Sequence, residues 1–197
     1  MVLHDQKFSI DKSLEILETK LGNLGFSSHC IHTGPIIRRE EEYAYVDLQT
    51  RQKLLKNVMS FCRQIDIKCH SFFILKKDFD NSVEAVGKLA KEISLFLKDN
   101  LELFLSYDVV KVYYDNGQVE VSRILSSVLN VILENVGFRK VFPSEYRLFQ
   151  VADLICTLKL VELKLENHSL SKSERIFFSD ERTLKKNYLK PIHNKTL

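Results

Sequence analysis

From Phe149 to Leu158 the chain reads Phe-Gln-Val-Ala-Asp-Leu-Ile-Cys-Thr-Leu, with Gln150, Asp153 and Thr157 as its polar positions. They recur at i, i+3 and i+7, which is one narrow stripe on a helix otherwise apolar all round, and such a helix is normally buried. An ionised carboxylate in that setting is costly to desolvate unless it is paired, hydrogen-bonded or bound to a metal ion. Asp153 therefore needs a partner: solvent or a neighbouring backbone would serve, and so would a metal ion shared with a second acid.

Asp115 is the best candidate for that acid. It follows Val109–Tyr114, a run that reads as a strand, and functional sites collect where strands end at the carboxyl edge of a sheet. Asp115-Asn116-Gly117 is equally a turn signal, and an Asp there can cap the next helix. Two carboxylates on rigid elements would chelate a hard cation such as Mg²⁺ or Mn²⁺. A pair of such ions about 3.5 to 4 Å apart stabilises the attacking and leaving oxygens of phosphodiester hydrolysis. Further ligands would come from His32 or from Glu40-Glu41-Glu42, with Glu41 central. These lie on an expected loop after His32-Thr33-Gly34-Pro35, although a charge run also serves simply as a solvated face.

The elements that must position these residues follow from periodicity. Leu14, Leu17, Leu21 and Leu24 fall at helical spacing before Gly25, and a second amphipathic helix is expected from about Asp47 to Arg63. Ile67–Leu75, rich in β-branched and aromatic residues, reads as a strand. A long helix follows on Val83, Val86, Leu89, Ala90, Ile93, Phe96 and Leu97. After the Val109–Tyr114 strand comes a helix on Val121, Ile124, Leu125, Val128 and Ile132, then a strand over Phe138–Phe142, then the Gln150 helix. Strands alternating with helices predict an α/β fold, a sheet layered with helices. No repeat or low-complexity linker divides the 197 residues, so a single domain over 1–197 is expected, with prolines 35, 143 and 191 marking loops.

Composition narrows the setting. With 45% hydrophobic and 28% charged residues the chain belongs to the ordinary globular class. No run approaches the roughly 18 apolar residues of a membrane span, and Met1-Val2-Leu3 gives way at once to His4-Asp5-Gln6-Lys7, unlike a signal peptide. No membrane partner and a cytoplasmic location are the expectation. Four cysteines without a C-x-x-C pair are expected to be reduced thiols. The net charge of +3 resides in the basic segment 171–197, which holds seven Lys or Arg, Lys185, Lys186 and Lys190 among them, against three acids. Interleaved with Phe177, Phe178 and Tyr188, this segment has the composition of a nucleic-acid backbone contact, DNA or RNA, or of a solvated C-terminal helix.

Gln150-Val151-Ala152-Asp153 resembles the Q-x-x-D motif of the bacterial and phage family called domain of unknown function 3800, which is placed among ribonuclease H-like folds. The resemblance extends over most of the chain, from His32-Thr33-Gly34-Pro35 through Tyr113-Tyr114-Asp115-Asn116-Gly117 to Phe177-Phe178 and Lys186-Asn187-Tyr188-Leu189-Lys190-Pro191. It implies an RNase H-like mixed sheet flanked by helices, with acids on the first strand, at the end of a central strand and on a late helix. Asp115 and Asp153 would fill the last two places as catalytic metal ligands, with Gln150 orienting a water or phosphate. The sequence departs from the pattern in lacking the Asp-Glu pair of the family's N-terminal strand, and Val2–Gln6 resembles the end of the strand that follows it.

The resemblance therefore implies a metal-dependent nuclease that hydrolyses phosphodiester bonds, or a truncated or inactive form of one; the alternative is a non-catalytic nucleic-acid-binding module using the basic segment. A sheet without its central strand leaves unpaired backbone groups that invite strand addition, so self-association through the exposed sheet edge is expected. Sedimentation velocity checks this: a thermally stable monomer at every concentration would argue against it.

Overall fold

Helical spacing in the sequence becomes helix nearly everywhere it is strong. In a computed structural model, which describes residues 1–75, 79–115 and 119–197 and the side chains of all of these but 115 and 119–122, the first elements are β1 (Val2–Leu3), α1 (Asp11–Gly22) and α2 (Thr33–Arg38). A single 3₁₀ turn, Glu41–Tyr43, leads to α3 (Leu48–Gln64) and β2 (Lys68–Cys69). There follow α4 (Ser82–Asp99), α5 (Leu101–Leu105), β3 (Val110–Asp115), α6 (Val119–Ile132) and β4 (Val136–Val141). The chain closes with α7 (Arg147–Glu166), α8 (Lys172–Phe178), α9 (Glu181–Leu184), a π turn at Lys185–Leu189 and α10 (Lys190–His193). This is a mixed α/β chain, mostly helical.

Several helix starts are written into the sequence as caps. Asp47 accepts the Thr50 N–H at 2.9 Å ahead of α3, and Asn81 accepts the Glu84 N–H at 2.9 Å ahead of α4. Ser171 and Glu174 form a reciprocal capping box on α8. Each such cap contributes about 1 kcal/mol by satisfying an amide that the helix itself cannot.

Contacts divide the chain into two compact units, Met1–Ser71 with Tyr146–Leu197, and Phe72–Glu145. In the first, Leu17 and Leu21 of α1, Leu54, Leu55 and Val58 of α3, and Val151, Leu154 and Leu158 of α7 form a continuous apolar core. Its small sheet pairs β1 antiparallel to β2, with Val2 opposite Cys69, while Thr196 bridges the other side of Cys69. The second unit is built on a β-α-β crossover: β3 and β4 run parallel, Val110 opposite Val136 through Asp115 opposite Val141, joined by α6. Parallel neighbours cannot be joined by a tight turn, which is why the connection between them is a helix. Asn116 and Gly117 of the expected turn lie outside the described residues.

Three expectations are corrected. The strand expected over Ile67–Leu75 shrinks to Lys68–Cys69, because β1 offers two residues to pair with and the run crosses from one unit to the other after Ser71. His32-Thr33-Gly34-Pro35 leads into a helix rather than a loop, with Pro35 at its third position, where the missing N–H is one that no helix satisfies internally. Pro191 is likewise helical, within α10. The four cysteines are free thiols, and burial pushes Cys62 up to about 11, which makes it chemically inert.

Arg51 is buried with 6% of its surface exposed, yet among the described residues it forms no ion pair with a carboxylate. Its guanidinium donates to Ile36 O at 2.5 Å and Val46 O at 3.1 Å and lies over the Phe177 ring, 5.8 Å from the centroid. It thus satisfies carbonyls at the end of α2 where a cation meets the negative helix terminus. Arg51→Met keeps the stem but orphans those carbonyls, and should cost about 2–3 kcal/mol, read from urea unfolding. A loss below about 0.5 kcal/mol would show that water replaces the guanidinium.

Candidate functional site

The polar stripe of α7 faces the segment His29–Thr33, within the first unit. Gln150 is 2% exposed, and its Oε1 accepts the Ile31 N–H at 3.1 Å. Asp153 is half-buried, and its Oδ2 accepts the Thr33 N–H at 2.7 Å. Two spacings explain the match. His32, between the two amides, is extended at φ −106° and ψ 112°, so the N–H groups of residues 31 and 33 point the same way. Side chains at i and i+3 on a helix lie about 5–6 Å apart, near the rise across two extended residues. Gln150 and Asp153 therefore read two alternate amides of one extended strand of backbone.

The Thr33 amide opens α2, and His32 gives it no side-chain cap. Asp153 caps that helix from another helix, placing a carboxylate at its positive end, which is worth about 0.3–1 kcal/mol beyond the hydrogen bond.

Arg147, one turn before Gln150, extends the same stripe. It makes a two-pronged ion pair with Glu18 of α1, at 2.6 and 2.8 Å, and its Nη1 donates to His29 O and, at 2.7 Å, to Gln150 Oε1. The Arg147 hydrogen bond holds the Glu18 carboxyl below its ordinary value, outweighing the opposing effect of burial. Beyond it, His29 Nε2 sits 2.8 Å from Tyr43 Oη and 2.9 Å from Glu42 Oε1. Tyr43 is fully buried; burial raises its phenol well above the usual range, with the charges of Glu42, Cys30 and Asp153 adding to the effect, so it is a neutral hydrogen-bonding group.

Some capacity is left unspent. Among the described residues Asp153 makes no hydrogen bond other than that to Thr33, which leaves its second oxygen open. The Thr33 hydroxyl, in a fully buried residue, has no partner among the described residues either. A carboxylate with one oxygen fixed by an amide and one open is a competent ligand for a hard cation or an acceptor for water.

Of the residues singled out by sequence, the structure gathers Gln150, Asp153 and the backbone of His32. Glu41 is exposed in the 3₁₀ turn, at φ 52°, and its neighbour Glu42 is the glutamate that reaches His29. Asp115 ends β3 in the second unit, with its side chain outside the described residues. Lys185, Lys186 and Lys190 are exposed on the last helical run, but Phe177, Phe178 and Tyr188 are core residues, which removes them as a stacking surface for bases. Sequence reasoning missed Arg147, Glu18 and Tyr43, and it named Glu42 only within the acidic run. For Arg147 a signal existed, since it continues the i, i+3 stripe one turn earlier. Among the described residues no group of three or more His, Cys, Asp or Glu side chains is arranged to hold a metal ion.

No family model matches the chain, and no curated protein or solved structure matches it.

Two stability measurements follow. Asp153→Asn keeps an acceptor for the Thr33 amide and should cost about 0.3–1 kcal/mol, whereas Asp153→Ala should cost about 1–2 kcal/mol; equal losses in urea unfolding would mean that the cap is not formed. Because Glu18 is held below its ordinary value of 4.5 in the folded chain, its contribution is complete above that pH and lost as pH falls through the folded-state value. The stability gap between wild type and Glu18→Gln should therefore be full near neutrality and close in acid. A gap that persists unchanged at about pH 3 would refute the Arg147 pairing as its source.

Proposed function

We propose that this chain is a metal-dependent nuclease of RNase H-like type, hydrolysing phosphodiester bonds in nucleic acid. The observation that carries the reading is Asp153: its carboxylate is anchored by the Thr33 amide through one oxygen and offers the other, from a late helix of an α/β chain. Asp115 stands at the carboxyl end of a parallel strand, the place where such acids collect. The order of the two, one ending a strand and one on a late helix, is that of the family called domain of unknown function 3800, on whose resemblance the reading also rests.

Carboxylate oxygens suit a hard divalent cation, so Asp153 would be a ligand of Mg²⁺ or Mn²⁺, and Asp115 is the second acid to which the resemblance gives that role. When bound, the ion would supply Lewis-acid stabilisation of the negative charge that builds up on phosphate. The protein's own contribution is placement. Gln150 has its carbonyl oxygen engaged by Ile31 and Arg147, so its role is to fix the backbone that anchors Asp153. Arg147, itself held by Glu18 of α1, braces that contact. Positioning of this kind matters because errors of about 1 Å in a catalytic group can cost about 100-fold in rate.

The test is cleavage of labelled single- and double-stranded DNA and RNA with Mg²⁺ or Mn²⁺, comparing wild type with Asp153→Asn and Asp115→Asn. Each variant should lose roughly 100-fold or more of a metal-dependent activity, as removal of a key electrostatic group does elsewhere. Wild-type chain that cuts nothing, or activity that survives both substitutions, would defeat the proposal.

A further inference from the structure

The C-terminal helical run Glu181–His193 carries two stripes with the same four-residue spacing. Leu184, Tyr188 and Ile192 are buried at 1%, 4% and 8% exposure, while Arg182, Lys186 and Lys190 are exposed. The stripes are offset by two residues, about 200° around a helix, so one faces the core and the other faces away from it.

A spacing of four would drift around an ideal helix of 3.6 residues per turn, and the π turn corrects the drift. Its cause is Pro191, which has no N–H to give to Asn187 O four residues earlier and whose ring crowds that carbonyl. The turn widens, the Lys190 N–H bonds back to Lys185 O, and Arg63 of α3 donates to the orphaned Asn187 O.

The cationic stripe gives little to the helix that carries it, apart from Lys190, which lies in the last turn where a cation is favoured. Like charges at i, i+4 repel, and Arg182 lies at the positive end of the run, where a cation is disfavoured. Among the described residues none of the three forms an ion pair. The acids nearest them are engaged elsewhere, although Asp180 also feels the charge of Arg182. Glu174 is 3% exposed and bonded to Lys164 and Ser171, Asp180 caps α9 through the Thr183 amide, and Glu181 pairs with Lys185. A row of exposed, unpaired cations on a rigid helix, with every large apolar side chain of that helix turned inward, fits a polyanionic strand. It does not fit a bilayer, which requires an apolar face to insert.

We propose that Arg182, Lys186 and Lys190 form a binding track for the phosphate backbone of a nucleic-acid strand, with Lys172 and Arg175, also exposed and, among the described residues, without ion pairs, extending it along α8. Binding is sequence-independent and dominated by release of counterions. The track acts separately from Asp153 and requires no metal ion.

Fluorescence anisotropy with labelled single- and double-stranded DNA and RNA, in EDTA so that cleavage plays no part, tests it. Wild type should bind with an affinity that falls steeply with salt. The triple variant Arg182→Gln, Lys186→Gln, Lys190→Gln should lower the slope of log K against log salt by about 2.7, removing roughly 40-fold of the affinity lost between about 50 and 200 mM salt. A control of equal charge, Lys12→Gln, Lys53→Gln, Lys56→Gln, drawn from exposed positions on α1 and α3, should change the slope by less than about 1. Because EDTA removes any metal ion, the measurement is independent of the nuclease reading and can fail separately from it. Failure of wild type to bind, equal losses in both triple variants, or stronger, stripe-dependent binding to anionic phospholipid vesicles would each overturn it; circular dichroism establishes that the variants are folded.

Discussion

The six-residue helix α2 is too short to be stable by itself, since nucleating a helix fixes several residues for a single hydrogen bond. It persists because charged side chains from two longer helices hold its ends. Asp153 of α7 accepts the amide at its start, and Arg51 of α3 donates to the carbonyls near its finish. Each charge has the sign that the helix terminus favours, and each satisfies backbone groups that a helix leaves orphaned. Between those ends, Ile36 and Ile37 are buried in the same core as α3 and α7. The clamp therefore fixes where three helices meet, and the candidate site is one of its jaws.

Such a clamp stands only if its members are themselves satisfied. Arg147 is nearly buried at the side chain, and a buried guanidinium without partners would cost several kcal/mol. It is matched by both oxygens of Glu18, by the His29 carbonyl and by Gln150. Gln150 in turn uses its oxygen for both Arg147 and the Ile31 amide. Networks of this kind strengthen one another in a low-dielectric interior and lose more than a single contact when one member is removed. The consequence is a rigid seat for Asp153, built from residues that need take no part in chemistry.

Legibility in the sequence followed the range of the interactions involved. α3, α4, α6 and α7 were readable because their apolar residues repeat locally, and β3 and β4 because their runs are rich in strand-forming residues. The helix α2 was not, since Gly34 and Pro35 signal a loop and the groups that override them, Asp153 and Arg51, lie far off in the chain. For the candidate site, the stripe Gln150–Asp153 showed that a carboxylate needed a partner and that a backbone could supply it, but not that the backbone would be Thr33, with Ile31 serving Gln150. Phe177, Phe178 and Tyr188 looked like a surface ready to stack on bases, yet they pack edge to face within the core. The lysines around them are exposed because the same helical run turns its aromatic side inward.

Anchoring and ligation need not compete at Asp153. A carboxylate has about four lone-pair sites, and a single amide at 2.7 Å occupies one of them. An acid that caps a helix with one oxygen and keeps the other open is held in orientation by the first task for the second, with no further ordering of its side chain required when a ligand arrives. The same logic separates Asp153 from Glu174, whose two oxygens are consumed by Lys164 and by the α8 capping box and whose carboxylate is buried. Both are acids of the first unit with structural work to do, and what distinguishes the candidate ligand from the purely structural one is the oxygen left over.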